Sequence, residues 1–185
     1  MSIWKIDPAH TDVSFSAKHM MVTTVRGKFD SVEGELELDE AHPLNSHGEI
    51  RVAASSLSTG IQMRDDHLRS ADFLDVEHHP TIVARVARIE PRGDRYRVAT
   101  DLAIRGLTRP LVLNARFLGI YPGMRGGRRV GFALSGTIAR KVWGLNWNVA
   151  LEAGGWLVGE DVRVEVDIAA DEVVVSIVGR LSQEK

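Results

Sequence analysis

Apolar and polar residues alternate one for one along most of this chain, and that period admits strands with one buried and one wetted face. In "YRVATDLAIRG", Tyr96, Val98, Leu102 and Ile104 point one way while Arg97, Asp101 and Arg105 point the other. In "EDVRVEVDIA", Val162, Val164, Val166 and Ile168 oppose Arg163, Glu165 and Asp167. Val130, Phe132, Leu134 and Ile138 share a face in "RVGFALSGTIAR", as do Val13, Phe15 and Ala17 in "DVSFSAKH". The same patterning predicts strands near residues 31–39, 47–54, 81–90 and 110–119.

Strands with one apolar face belong to an antiparallel sheet. Turn residues separate them, at Pro91 to Asp94, Arg105-Gly106 and Tyr121 to Gly127. Eight or more strands without a linker between them make either a sandwich or a closed barrel, and closure removes exposed edges. The 185 residues suit one all-β domain, residues 1–185, large enough to build a core without staples. The closing "LSQEK" is expected to fray.

One segment breaks the period. In "RDDHLRSADFLD", residues 64–75, ionisable side chains crowd together and a small apolar group follows. Thr59 and Gln62 have the spacing of a capping box, which predicts one short helix near residues 60–70. About ten residues of helix are marginal alone, so this helix must pack on the sheet, and the open end of a barrel offers a place.

Several functions are disfavoured by composition. A net charge of −2 argues against a nucleic-acid binder, which concentrates basic side chains on one surface. With no cysteine there is no disulfide, thiol nucleophile or thiolate zinc site. No apolar run reaches the ~20 residues of a membrane-spanning helix. The opening "MSIWKIDPAHTDVSFSAKHM" lacks the pattern of an export signal, so a cytoplasmic location is expected.

Candidate chemistry is thin. Ser70, His67 and Asp66 supply hydrolase residue types, but no G-x-S-x-G elbow is present. The seven histidines contain no H-E-x-x-H, and His78 and His79 are adjacent. Only a meeting of His10, His19 and His67 in space would make a metal site, and separate polar histidines are the simpler expectation. No cofactor is implied. Arg125, Arg128 and Arg129 at the tip "GMRGGRR" read as solvated turn residues, or as a transient contact with anionic lipid. Aromatic residues are spread over many strands, as in a barrel that is either filled or hollow.

Five motifs then occur in order: "WKIDPAHTDVSFSAKHM", "VRGKFDSVEGEL", "STGIQMRDDHLRSADFLDVEHHPTI", "IRGLTRPLVL", and "GFALSGTIARKVWGLNWN" with "GWLVGEDVRVEVDIAA". From Trp4 to about Ile168 the chain resembles the YceI-like polyisoprenoid-binding proteins. Arg105, His79 and Val142 depart from the residues common in that family. The resemblance implies a lipocalin-like antiparallel β-barrel of about eight strands, with a helix packed against it and a long apolar interior. It also implies binding of a polyisoprenoid or related amphipathic lipid, with a polar or pyrophosphate head near the mouth.

On that resemblance, the tail-binding wall is expected to include Phe15 and Leu36, Val98 and Leu102, Phe132 and Leu134, and Val164 with Trp147. The head end is expected at His19, Arg64, His67, Arg140 and Asn146. The leading function is a carrier or sequestering protein that leaves its lipid chemically unchanged, with homodimers through a sheet face or loops compatible with the pattern. The alternative is an enzyme acting on such a lipid inside the barrel, with His67 and nearby carboxylates as acid and base. A barrel filled with side chains would instead leave a structural module acting through its outer face.

Overall fold

Alternation along the chain becomes antiparallel strand in the computed structural model, which describes residues 1–123, 126–152 and 154–174. The first six strands are β1 (Ser2–Ile6), β2 (Asp12–His19), β3 (Thr23–Phe29), β4 (Val32–Leu38), β5 (His47–Ala53) and β6 (Leu57–Ser58). A single α-helix among the described residues, α1 (Gln62–Arg69), leads to β7 (Thr81–Arg92), β8 (Arg95–Ile104), β9 (Leu107–Pro122), β10 (Arg128–Ala139) and β11 (Val158–Glu172).

The hydrogen-bonded order is β1-β4-β5-β7-β8-β9-β10-β11-β2-β3-β6, and a further β1–β11 pairing closes the ring. Three pairs of short strands act as single staves. β2 and β1 lie in succession along β11, with Val164 opposite Phe15 and Ala170 opposite Ile6. β3 and β4 continue each other, as do β5 and β6: Leu57 faces Phe29 and Val52 faces Val32. With the five long strands they make a closed eight-stranded barrel in which neighbours in sequence are neighbours in space. Short connections between antiparallel neighbours are what such alternating segments favour.

All three composite staves break at one level. The Ala53 amide donates to the Ser31 carbonyl (3.0 Å), and the Asp30 amide to the Ser56 carbonyl (3.2 Å). The Ser56 hydroxyl accepts from the Ser31 amide (3.1 Å). The polar groups released from the ladder at the bend are thus taken up locally.

At one end of the barrel lie the β4–β5 loop and the β7–β8 and β9–β10 hairpins; this is the loop end. Here Trp4 is fully buried, packed with Ile6, Leu36, Val130, Ile168 and Ala170. Arg128 lies over its ring at 5.3 Å. Arg128 also donates to Glu172 (2.6 and 2.8 Å) and Glu40 (2.8 and 2.9 Å), and Arg129 bridges Asp171 and Asp7. Both arginines are paired with carboxylates across the closing seam while their side chains stay partly exposed to solvent. Arg125 and the terminal "LSQEK" lie outside the described residues.

The other end, the helix end, carries α1, where the capping box fails. Ile61 is the N-cap and no side chain caps it. The Thr59 hydroxyl instead donates to Asp65 and accepts from Arg64 Nε (2.7 Å), while the Thr59 amide donates to Asp65 (2.8 Å). Asp65 is 5% exposed, so this buried carboxylate needs those donors more than the helix needs a cap. Gln62 turns outward to Asp66 (2.7 Å).

Two outcomes are expected from the seam. Trp4→Ala removes a fully buried indole and lowers unfolding free energy by ~3–5 kcal/mol in denaturant titration. Hydrogen bonds from Arg129 hold the Asp171 carboxyl below its ordinary range, and those from Arg128 do the same for Glu172. Their stabilisation is present above the unfolded carboxyl pKa of ~4 and is lost as pH falls through the depressed folded values. The melting temperature of Glu172→Gln is lower at neutral pH and declines less steeply on acidification, as calorimetry across pH checks.

Candidate ligand-binding site

Because the staves alternate, one face of each lines the interior. On β8 that face is Tyr96, Val98, Thr100, Leu102 and Ile104, and on β11 it is Val162, Val164, Val166 and Ile168. Register shifts in β7 and β9 keep those strands in phase with the barrel. The register of β7 shifts between Val86 and Arg88, so Val86 and Ile89 both line the interior. That of β9 shifts at the level of Gly131 and Phe132, so Phe117 and Ile120 do the same. A bulge adds one residue and so restores facing where strict alternation would have reversed it.

Side chains do not fill the space they enclose. A cavity of about 720 Å³ runs through the barrel, within the ~300–1,000 Å³ of small-molecule sites. Tyr96 to Ile104 alone takes it about 26 Å along β8 at roughly 3.3 Å per residue. Its wall is apolar except for a few groups. Thr100 is internally satisfied, its hydroxyl donating to the Leu111 carbonyl (2.9 Å).

The two ends differ. At the loop end the wall includes Asp39, Glu40, Ser46 and His47. The Asp39 carboxylate accepts from the amides of His42 (2.9 Å) and Ala41 (3.1 Å), and the His42 amide bond holds its pKa below the ordinary range. Glu40 is clasped by Arg128, which ties the loop to the seam. At the helix end the wall is Leu68 of α1, then Phe73, Leu74 and Leu145, with one cation, Arg140.

Of the expected tail wall, Phe15, Leu36, Val98, Leu102, Phe132, Leu134 and Val164 line the cavity, and Trp147 does not. The Trp147 ring lies edge-on to His67 at 4.5 Å and 5.3 Å from Phe73, outside the lining. The expected head cluster is dispersed. Arg140 lines the cavity; His19, Arg64, His67 and Asn146 do not. His19 ends β2 opposite Thr23, and Asn146 is exposed. Arg64 is spent on the hydroxyl and carbonyl of Thr59. His67 Nε2 pairs with Asp72 (2.9 Å). Leu68 is the residue of α1 that lines the cavity, while Arg64 and the buried Asp65 are spent on Thr59 and His67 on Asp72.

Sequence patterning missed the β4–β5 loop as part of the wall, because a loop has no period from which facing can be read. No three metal-ligating side chains gather among the described residues, so His10, His19 and His67 do not meet. Arg105, His79 and Val142, the residues expected to depart from the family's usual ones, lie at the helix end. Arg105, at φ 50°, donates to the carbonyls of Ala71 (2.8 Å) and Gly144 (3.3 Å). The His79 ring lies where a Cβ on Gly106 would stand, 2.9 Å from its nearest atom.

The turn that presents Phe73 and Leu74 is held by Asp75, whose amide donates to the Ser70 carbonyl (2.9 Å) and whose carboxylate meets His78 Nδ1 at 2.8 Å. That hydrogen bond raises the His78 pKa above 6.5 and lowers that of Asp75. The pair therefore stabilises the fold most below the ordinary histidine pKa and loses this effect as pH rises through the folded value. Asp75→Asn is expected to return His78 to about 6.5 in an NMR titration.

Comparison with known proteins agrees with this architecture. A family model described as the YceI-like domain matches residues 4–170. A Staphylococcus epidermidis UPF0312 protein is 33% identical over 166 residues, covering 89% of this chain and 95% of the relative. The solved structure of Burkholderia cenocepacia BcnA is 20% identical with a TM-score of 0.74, over 89% of this chain and 98% of that one. A polyisoprenoid-binding domain from Saccharophagus degradans, implicated in plant cell wall breakdown, is 13% identical with a TM-score of 0.68, over 94% and 100%. At these identities the two solved structures carry the fold alone.

Proposed function

The chain belongs to the YceI-like domain family, and from that premise we propose that its barrel binds a long-chain polyisoprenoid or a related amphipathic lipid for transport, storage or sequestration. The observation that carries this reading is the unfilled, almost wholly apolar cavity of about 720 Å³. Each buried methylene contributes ~0.8 kcal/mol, so ten of them supply about 8 kcal/mol before the costs of association. A hydrocarbon chain therefore needs little polar help. The polyisoprenoid-binding description of the Saccharophagus degradans domain supports the same class of ligand.

Binding without chemistry is favoured over the enzyme alternative by the position of His67. A general acid or base must come within hydrogen-bond reach of the reacting group. His67 is paired with Asp72 and edge-on to Trp147, and neither His67 nor Asp72 is part of the cavity wall. His67→Ala is expected to leave lipid affinity within about threefold, and no product should form from bound lipid.

The direct test is organic extraction and mass spectrometry of protein purified from its host, with thermal melting in added prenyl lipid. A ligand at a hundred times its Kd stabilises by about 2.7 kcal/mol. Leu134→Trp, which puts an indole into the cavity, is expected to abolish the shift while the barrel still folds. Empty protein together with an unmoved melting temperature sinks the reading.

A further inference from the structure

We propose that the helix end of the barrel seats on a lipid bilayer through the β2–β3 turn and the strip of chain beside it. The choice of a bilayer as the partner rests on the lipid-binding reading.

Five large apolar side chains are exposed together at this end: Met20, Met21 and Val22 of the turn, with Val149 and Trp156 of the β10–β11 connection. Val22 is 80% exposed. The backbone joins the two segments. The Met20 amide donates to the Leu157 carbonyl (2.8 Å), the Leu157 amide to the Val149 carbonyl (2.9 Å), and Trp156 bridges to Ala150. Met21 lies across Gly155, where a Cβ would collide with its sulfur. Single apolar residues scattered on a surface need no explanation, but a contiguous patch marks an interaction site.

The turn is built at the expense of local preference. The His19 carbonyl accepts from the Val22 amide (3.2 Å), and Met20 and Met21 both lie in the left-handed region, at φ 51° and 61°. A turn with positive φ at both central positions prefers Asn-Gly, because a long side chain is strained there. Here two methionines take those positions and stay exposed. Folding gains nothing from them, and an apolar partner would.

Three features single out a bilayer as that partner. The patch is continuous with the cavity: Val158, next to Leu157, lines the wall and pairs with His19, where the turn begins. Lipid can therefore pass between membrane and barrel over apolar surface alone. Trp156 is an exposed indole, and tryptophan collects at the membrane–water interface. Behind the tip, Lys18, Arg26 and Arg163 are exposed and make no ion pair among the described residues, and Arg26 and Arg163 flank Ser16 in one row. On the same segments Asp161 and Glu152 are exposed, while Glu160 is paired with Lys141. Apolar insertion thus leads, and the cations assist toward an anionic leaflet. The loop end, whose wall includes Asp39 and Glu40, then points away from that surface.

The test floats the intact protein with vesicles of phosphatidylcholine and a quarter phosphatidylglycerol. The wild type should float with them, and Met20→Asn combined with Met21→Gly should weaken partition by about tenfold or more. That double variant installs the preferred turn pair, so its melting temperature should match or exceed that of the wild type. Tyr121→Asp, at an exposed position of the loop end, should float as the wild type does. Brominated phosphatidylcholine in the same vesicles should quench part of the tryptophan emission, and Trp156→Phe should remove that quenching. A wild type that stays unbound, a double variant that floats undiminished, loss of binding in Tyr121→Asp, or quenching that survives Trp156→Phe each overturns the proposal. Self-association through the turn without flotation overturns it too, and makes the patch an interface between copies. The melting shift in prenyl lipid, measured alongside, keeps the two readings apart. A shift without flotation leaves the lipid-binding reading standing alone, and flotation without a shift supports the seating and removes that reading.

Discussion

Everything in this barrel depends on the pairing of β1 with the C-terminal end of β11. Without it the sheet has two open edges and its apolar face has no opposite wall. Only a short register is available, from Trp4 opposite Glu172 to Ile6 opposite Ala170. Side chains reinforce it from both faces. Trp4 seals the inner face with Val130 and Ile168, while Arg129 draws Asp7 and Asp171 together on the outside. Arg128 adds Glu40 to the same seam, so closure of the barrel and placement of the β4–β5 loop are one event. The cavity exists because the seam holds.

The cavity's emptiness has its own cause. Small side chains recur on inward faces, Ala17, Ala84 and Ala115 among them, and the wall of β11 is four valines and Ile168. Glycine contributes too: Phe15 lies across Gly27, directly opposite it on β3, where any Cβ would collide with the phenyl ring. Trp4 sits at the loop end, and Trp143 caps the helix end with its indole N–H donating to the Leu102 carbonyl (2.9 Å). Small inward side chains leave a cavity instead of a filled core.

Much of this was legible in the chain. Tyr96, Val98, Leu102 and Ile104 share a face by period alone, and the tertiary fold puts all four on the wall. Seven apolar positions expected at the tail do the same. The head cluster was not legible, because its members lie in loops and on a short helix. Arg64, His67 and Asn146 lie within the family motifs yet do not line the cavity, whereas Arg140, just past the end of β10, reaches it. The capping box at Thr59 misled for a related reason: a buried carboxylate, Asp65, competed for the hydroxyl, and burial is invisible to spacing.

By itself, then, the sequence determined the all-β class, the meander of neighbouring strands and the inward set of each strand, since strand geometry is local and its period is two. It also carried the motifs that identify the family. The tertiary structure alone decided which polar groups face the lipid-sized space, which are spent on one another, and that the interior is hollow. Those outcomes depend on contacts between residues far apart in the chain, such as Glu40 with Arg128 and Arg140 with the carbonyls of Val158 and Gly159, and no local pattern records them.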